Sequence, residues 1–396
     1  MKKISLIIIA VFLFNSFSFS AELVTVADAQ VLGGQYVFEG APGTFGGIIN
    51  FDFVPAIKFT DTFALVPSYY LNYKGTKDAS ELAGGDTLFQ QSMDHTVIVK
   101  AVKKLNNGFK VKPRVSYRME WLIETTDEKW GEGLFDYTKT SGGVEFEKEF
   151  SEGKMNNLSF SYDYYAIVFP NYAALSTEYG AELAGATGAN VLDFNTNEIG
   201  LSSKWKLSDS VYGMLNYTIG LKAFVDQNIV EETGLYINDL RKDTANMILL
   251  NFSMPKQNII YGIDYLYSSY GSTQNHYDAT YLKYIPDYYD YKEHSFGPSC
   301  RFKIGSAPWT CYASYMLRLR NYDGRLIQDT VGDYGEDNVN VTAHSIILTT
   351  EVPVSTSLVF RTSLSYSAQA SNMKYEQTYR YNFNTFNYFF GLGWKY

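Results

Sequence analysis

The sequence predicts an all-β fold, a transmembrane antiparallel up-and-down β-barrel of 16 strands. Three observations carry this reading. Apolar and polar residues alternate with period 2 over many segments of about ten residues or more. Short polar turns recur about every fifty residues, and one longer, variable connection lies between each consecutive pair. After an N-terminal apolar run, no stretch of 18 apolar residues remains, so no membrane-crossing helix is expected.

Lys2 and Lys3 precede an apolar run from Ile4 to Phe14, and Ser18-Phe19-Ser20 places small residues before Ala21. The pattern predicts a secretory signal peptide over 1–20 and a barrel over 21–396. No cysteine follows the cut, which argues against a lipid anchor. Loss of Lys2 and Lys3 takes the formal net charge from −9 to −11. An acidic chain is a poor partner for nucleic acid. Tyr (34) and Phe (27) are abundant although only 46% of residues are hydrophobic. A barrel strand hides half its residues from lipid, so such a composition fits.

Short turns fall at 60–62, 106–108, 151–153, 208–210, 256–258, 305–307 and 355–356. The strands between them read as 31–39, 45–59, 62–74, 91–105, 109–122, 138–150, 155–168, 193–207, 211–224, 244–254, 258–270, 293–304, 308–321, 339–353, 357–370 and 384–396. The first is the weakest. An even count is required if both chain ends lie on one side of the membrane, and 31–39 supplies the sixteenth crossing. The alternative is that 22–44 threads the lumen as a plug. Gly108 suits the left-handed position of a three-residue turn, which sets Val115 opposite Val99 and Tyr117 opposite Val97. Pro55 and Pro67 fall on the outward face and predict local bulges in the first full hairpin.

In 109–122 the residues Phe109, Val111, Pro113, Val115, Tyr117, Met119 and Trp121 face one way, and Lys110, Lys112, Arg114 and Arg118 face the other. A lipid-facing Arg or Lys at mid-membrane costs about 2–4 kcal/mol, so the charged face is the lumen. Lys100 and Lys104 join this basic stripe from the preceding strand. Glu145, Glu147 and Glu149, then Asp163, form an acidic row beside it. The two rows either set up a field across a wet pore or pair across the ladder and solvate the wall. Arg301, Lys303, Arg318 and Arg320 form a second inward basic set, facing the first stripe, acidic loop residues or only water.

A tight turn at Gly305-Ser306 sets Cys300 opposite Cys311 on the outward face and Phe302 opposite Trp309. Directly opposed Cα atoms lie about 4.5–5.5 Å apart, within disulfide range, so a cross-strand disulfide is expected in an oxidising compartment. The competing reading is two reduced thiols. Loop 169–192 is rich in small residues and is the candidate to fold inward and narrow the lumen. Loop 271–292 carries Tyr277, Tyr281, Tyr284, Tyr288, Tyr289 and Tyr291 with Asp278, Asp287 and Asp290. Such a set can stack on sugars, form part of an interfacial girdle, or pack on itself.

The last strand carries an uninterrupted stripe of Phe386, Tyr388, Phe390, Leu392, Trp394 and Tyr396. Together with the leader and the turn periodicity, it resembles the terminal strand of Gram-negative outer-membrane β-barrels, which ends on an aromatic residue read by the insertion machinery. The resemblance implies outer-membrane lipid and that machinery as partners. At this size it implies a porin-like channel for small hydrophilic solutes, with no cofactor and a homo-oligomer allowed. The acidic PEFGG-type eyelet motif of enterobacterial general porins is missing, so that subfamily is not implied. The competing classes are an export or assembly barrel for a polysaccharide or protein pathway, and a hydrophobic-solute transporter with a plug. An export barrel often carries a periplasmic helical-repeat domain, and no such pattern occurs here.

An enzyme is not expected. His294-Ser295, His344-Ser345 and Asp94-His95 are adjacent in sequence, which splits each pair between the two faces of a strand. There is no G-x-S-x-G motif, no HExxH and no CxxC, so neither a nucleophile elbow nor a metal site is indicated.

Overall fold

The computed structural model describes residues 21–39, 41–75, 91–123, 128–151, 153–172, 190–304, 309–377 and 379–396. In chain order the strands are β1 (Glu22–Phe38), β2 (Ala41–Thr60), β3 (Phe63–Lys74), β4 (Gln91–Lys104), β5 (Phe109–Ile123), β6 (Tyr137–Glu149), β7 (Met155–Val168), β8 (Phe194–Ser208) and β9 (Val211–Val230). They continue as β10 (Tyr236–Lys256), β11 (Ile259–Ser272), β12 (His276–Asp278), β13 (Lys283–Ile285), β14 (Tyr291–Ile304), β15 (Trp309–Gln328), β16 (Tyr334–Pro353), β17 (Leu358–Ser371) and β18 (Phe383–Lys395). Sixteen of them form one closed antiparallel barrel, while β12 and β13 make a small separate hairpin in the loop after β11.

The barrel closes where the sequence signal is weakest. β1 pairs with β18 without a shift from Asp28↔Lys395 to Phe38↔Thr385. Reciprocal backbone bonds between Ala27 and Tyr396, 3.0 and 2.8 Å, finish the seam. The segment from Glu22 to Phe38 is therefore wall and not plug. It begins nine residues earlier than the alternation suggests (Glu22 against residue 31), because Ala27, Asp28 and Gln30 interrupt the apolar pattern.

Burial is inverted relative to a water-soluble protein. Val31 (59%), Val115 (59%) and Phe390 (51%) are exposed on the outer face, whereas Thr196 (2%) and Glu147 (8%) are buried on the inner one. An apolar exterior around a polar interior is what lipid outside and water inside select.

The register between β4 and β5 sets Val99 opposite Val115 and Val97 opposite Tyr117, as the turn chemistry predicts. Asn107 and Gly108 both adopt positive φ in that turn, 57° and 74°. The prolines act differently from expectation. Pairing of β2 with β3 is interrupted between Phe53↔Tyr69 and Ile57↔Leu65 yet keeps its register, and the irregularity lies instead between Lys58 and Thr60. Loss of an N–H deletes a ladder bond without inserting a residue, so a bulge is not required.

The register of β14 with β15 corrects a second expectation. Cys300 lies opposite Ala313 and Cys311 opposite Phe302, while Ile304 pairs with Trp309. Four residues, 305–308, separate the strands instead of the two of a tight turn at 305–306, and the connection itself lies outside the described residues. The two cysteines are consequently offset along the ladder, and both thiols are free.

Candidate functional site in the lumen and at its mouth

The inward charges of β4 to β7 are brought together in pairs. Lys110 contacts Glu147 at 3.2 Å and also Glu149. Lys112 bridges Glu145 at 2.7 Å and Glu147 at 2.9 Å. Arg114 takes Asp163 in a two-armed contact, with Nε to Oδ1 at 2.7 Å, and approaches Glu145 at 3.4 Å. Arg118 is held by Asp94 and Glu120. Lys100 and Lys104 continue the face, opposite Arg114 and Lys110. Of the two readings open from sequence, ladder pairing describes this wall. The opposed rows neutralise each other locally instead of standing as separate charged stripes.

The second basic set divides by height. Arg301 and Lys303 lie towards the short-turn rim, opposite Tyr312 and Thr310. Arg318 and Arg320 lie higher, opposite Ser295 and Glu293. Arg320 donates to Glu293 at 2.7 Å and stacks over Tyr291 at 4.4 Å. Arg318 donates to Gln369 at 3.0 Å and reaches the same Glu293 only at 3.9 Å.

A third network lies at the seam and was not singled out from sequence. Arg361 on β17 reaches over β18 to Asp28 (2.9 Å) and Gln30 (2.8 Å) on β1, and it donates to Glu351 (3.0 Å) on β16. Gly393 makes this possible, since a Cβ there would stand 2.8 Å from the Arg361 Nε. The available signal was a lone inward arginine beside a strand whose inward face carries Gly391 and Gly393.

At the long-loop end, the segment after β11 folds over the opening. Ile285 of its hairpin is fully buried. Tyr334 donates to Asp278 (2.7 Å), Tyr281 donates to the Val331 carbonyl (3.3 Å), and the Asp323 amide donates to the Asp290 carbonyl (2.9 Å), tying the loop to β15, β16 and the turn between them. Burial alone would raise the Asp278 carboxyl, but the hydrogen bonds from Tyr334 and from the Tyr281 and Thr280 amides hold it below the usual carboxylate range. Burial pushes the Tyr288 hydroxyl up to about 12 and lowers His276, which favours a neutral ring. His276 stacks on Tyr288 with centroids 4.4 Å apart. The tyrosine-rich loop thus packs on itself and on the wall. Of the loop proposed to narrow the lumen, 173–189 lie outside the described residues.

Between this loop, the upper parts of β15 to β17 and the segment before β18 lies a cavity of about 820 Å³. Arg318, Arg320, Arg325, Tyr288, Tyr322 and Tyr381 line it, over an apolar floor of Val341 and Met373. The three histidines outside the loop are elsewhere. His95, His294 and His344 face outward, and each is hydrogen bonded through Nδ1 to a tyrosine of a neighbouring strand, Tyr69 (2.9 Å), Tyr265 (2.9 Å) and Tyr315 (2.7 Å). Among the described residues no cluster of His, Cys, Asp and Glu is arranged to hold a metal ion.

A closed 16-strand barrel with an apolar belt and a charged lumen defines the class: a transmembrane β-barrel. No protein-family model and no curated protein matches the sequence. Among solved structures, the chain is similar to OmpT, an outer membrane protein of Vibrio cholerae in its trimer form (TM-score 0.46, 11% identity, 94% of this chain and 99% of that one). It is also similar to the FrpB iron transporter from Neisseria meningitidis (0.45, 8%, 89% and 64%) and to a triple mutant of the Rhodopseudomonas blastica porin (0.38, 10%, 94% and 100%).

Proposed function

We propose that this chain is a Gram-negative outer-membrane channel of the porin kind, through which small hydrophilic solutes diffuse passively. The observation that carries the reading is the wall itself: inward Lys, Arg, Glu and Asp side chains in a 16-strand barrel whose outer face is apolar. Charged groups turned inward require water there, and a barrel of this strand number is wide enough to hold an aqueous path. Residues 1–20 act as a cleaved signal peptide, and the aromatic stripe ending at Tyr396 addresses the chain to the insertion machinery.

The loop over one side of the mouth acts as the size filter, while the paired wall charges keep the path wet with little net field. A hydrophobic-solute transporter is disfavoured because the N-terminal segment builds the wall and the lumen is charged. The chain acts without a catalytic step, in keeping with three of its four histidines facing outward. Planar-bilayer recording of the refolded chain tests the reading. Steady ohmic steps are expected, and silence of a correctly folded barrel would overturn it.

A further inference from the structure

We infer that the cavity at the mouth is a recognition site for a small solute that joins a carboxylate to a ring, an acidic sugar or an aromatic acid. The inference rests on the channel reading only for how the solute arrives. Four arginines, Arg318, Arg320, Arg325 and Arg380, line the cavity, and of these Arg318 and Arg320 share one wall carboxylate. Glu293 is taken by Arg320 at 2.7 Å and stands 3.9 Å from Arg318. Arg325 has no carboxylate partner among the described residues. Its guanidinium carbon lies over the rings of Tyr288 (4.4 Å) and Tyr322 (4.2 Å), and its one described hydrogen bond is a long one to the Tyr381 hydroxyl, 3.4 Å. Its Nε is buried with no hydrogen-bond partner among the described residues.

The other acids nearby are engaged. Asp278 accepts from Tyr334 and from the Thr280 amide, and Glu39 is paired with Arg380. With two rings packed against the Arg325 guanidinium and its Nε without a partner among the described residues, recognition falls to its N–H groups. An in-plane fork of donors matches a planar carboxylate better than a spherical ion. The rest of the lining is tyrosine over Val341 and Met373, which suits the face of a ring, and the volume lies in the range of small-molecule pockets.

The test is calorimetry on the full chain refolded in detergent, with D-glucuronate and benzoate as probes and glucose and benzyl alcohol as their neutral counterparts. At least one acid is expected to bind about tenfold or more tighter than its neutral counterpart. Glucuronate alone identifies the acidic sugar, and benzoate alone the aromatic acid. Arg325→Gln is expected to remove the preference. If that variant does not refold, judged by heat-modifiable mobility, Arg318→Gln replaces it with the same expectation. Equal binding of acids and neutral compounds, full displacement by an equal concentration of chloride, or a preference unchanged in the folded variant would overturn the site. Bilayer recording separates the two proposals. Binding by a silent barrel would sink the channel and keep the site, and a conducting barrel without binding would do the reverse.

Discussion

Arg114 on β5 and Asp163 on β7 meet across an intervening strand, because the residue between them is Gly143. Arg114 pairs with Gly143 and Gly143 with Asp163 in the two ladders. A Cβ at Gly143 would stand 2.0 Å from the Asp163 carboxylate. Gly143→Val should therefore break the contact and cost about 1–2 kcal/mol, reduced from the buried-pair value because Arg114 is partly exposed to the lumen. Urea titration of the barrel in lipid vesicles would show it. The loss should shrink in an Arg114→Gln, Asp163→Asn background, and an undiminished loss there would assign the cost to backbone packing instead.

Arg361 uses the same device at the seam, passing Gly393 to reach Asp28. Arg361→Ala leaves Asp28 on β1 and Glu351 on β16 without this partner, on either side of the β17–β18–β1 seam. It should destabilise the barrel by about 2–3 kcal/mol and slow its refolding. Arg361→Lys should recover only part of this, since one ammonium cannot serve Asp28, Gln30 and Glu351 in the fixed fork of a guanidinium. Equal stability of the wild type and Arg361→Ala in urea would remove the seam from the account.

Selectivity should respond to the wall charges in a defined direction. Arg118 is bracketed by Asp94 and Glu120. Arg118→Glu replaces one cation between two carboxylates with a third carboxylate, so the reversal potential under a KCl gradient should move towards cations. Arg114→Glu should shift it in the same sense. A potential that does not move would mean that this wall lies outside the conduction path.

Cys300 and Cys311 should both react with a thiol reagent after unfolding without reductant, since both are free. In the folded barrel Cys311, buried opposite Phe302, should react more slowly than Cys300. Non-reducing peptide mapping that recovers a 300–311 crosslink would restore the disulfide and require a different turn.

The architecture was legible because two local rules act in every strand. Period 2 sets the faces, and short polar turns mark one rim. What escaped the sequence depended on geometry that those rules do not contain. Two extra residues in the connection, 305–308 instead of 305–306, moved the cysteine register by two, from opposed to offset. The start of β1 was hidden because a lumen-facing Asp28 and Gln30 look like loop residues until Arg361 is placed against them. The acidic and basic rows were visible, but whether they pair was not. That depends on neighbours such as Gly143, whose missing side chain lets Arg114 reach the next strand. The mouth cavity was invisible, because Arg325 lies beyond the strand limit read from alternation and meets Tyr288 only through the fold of a loop.

Tyr288 provides a pH signature for that loop. Its hydroxyl is raised from an ordinary value of 10.0 to about 12, first by burial, against the lowering effect of Arg325. Above the unfolded pKa an undocked loop loses this proton while the docked loop keeps it, so docking is favoured fully below about pH 10 and weakens as pH rises towards 12. Absorbance titration of tyrosinate should show a late component that loses the amplitude of one tyrosine in Tyr288→Phe. The same variant should keep the loop on the mouth at alkaline pH for longer than the wild type, read as protection of the 273–290 segment from protease. A Tyr288 that titrates with the bulk of the tyrosines would mean that the loop does not cover it.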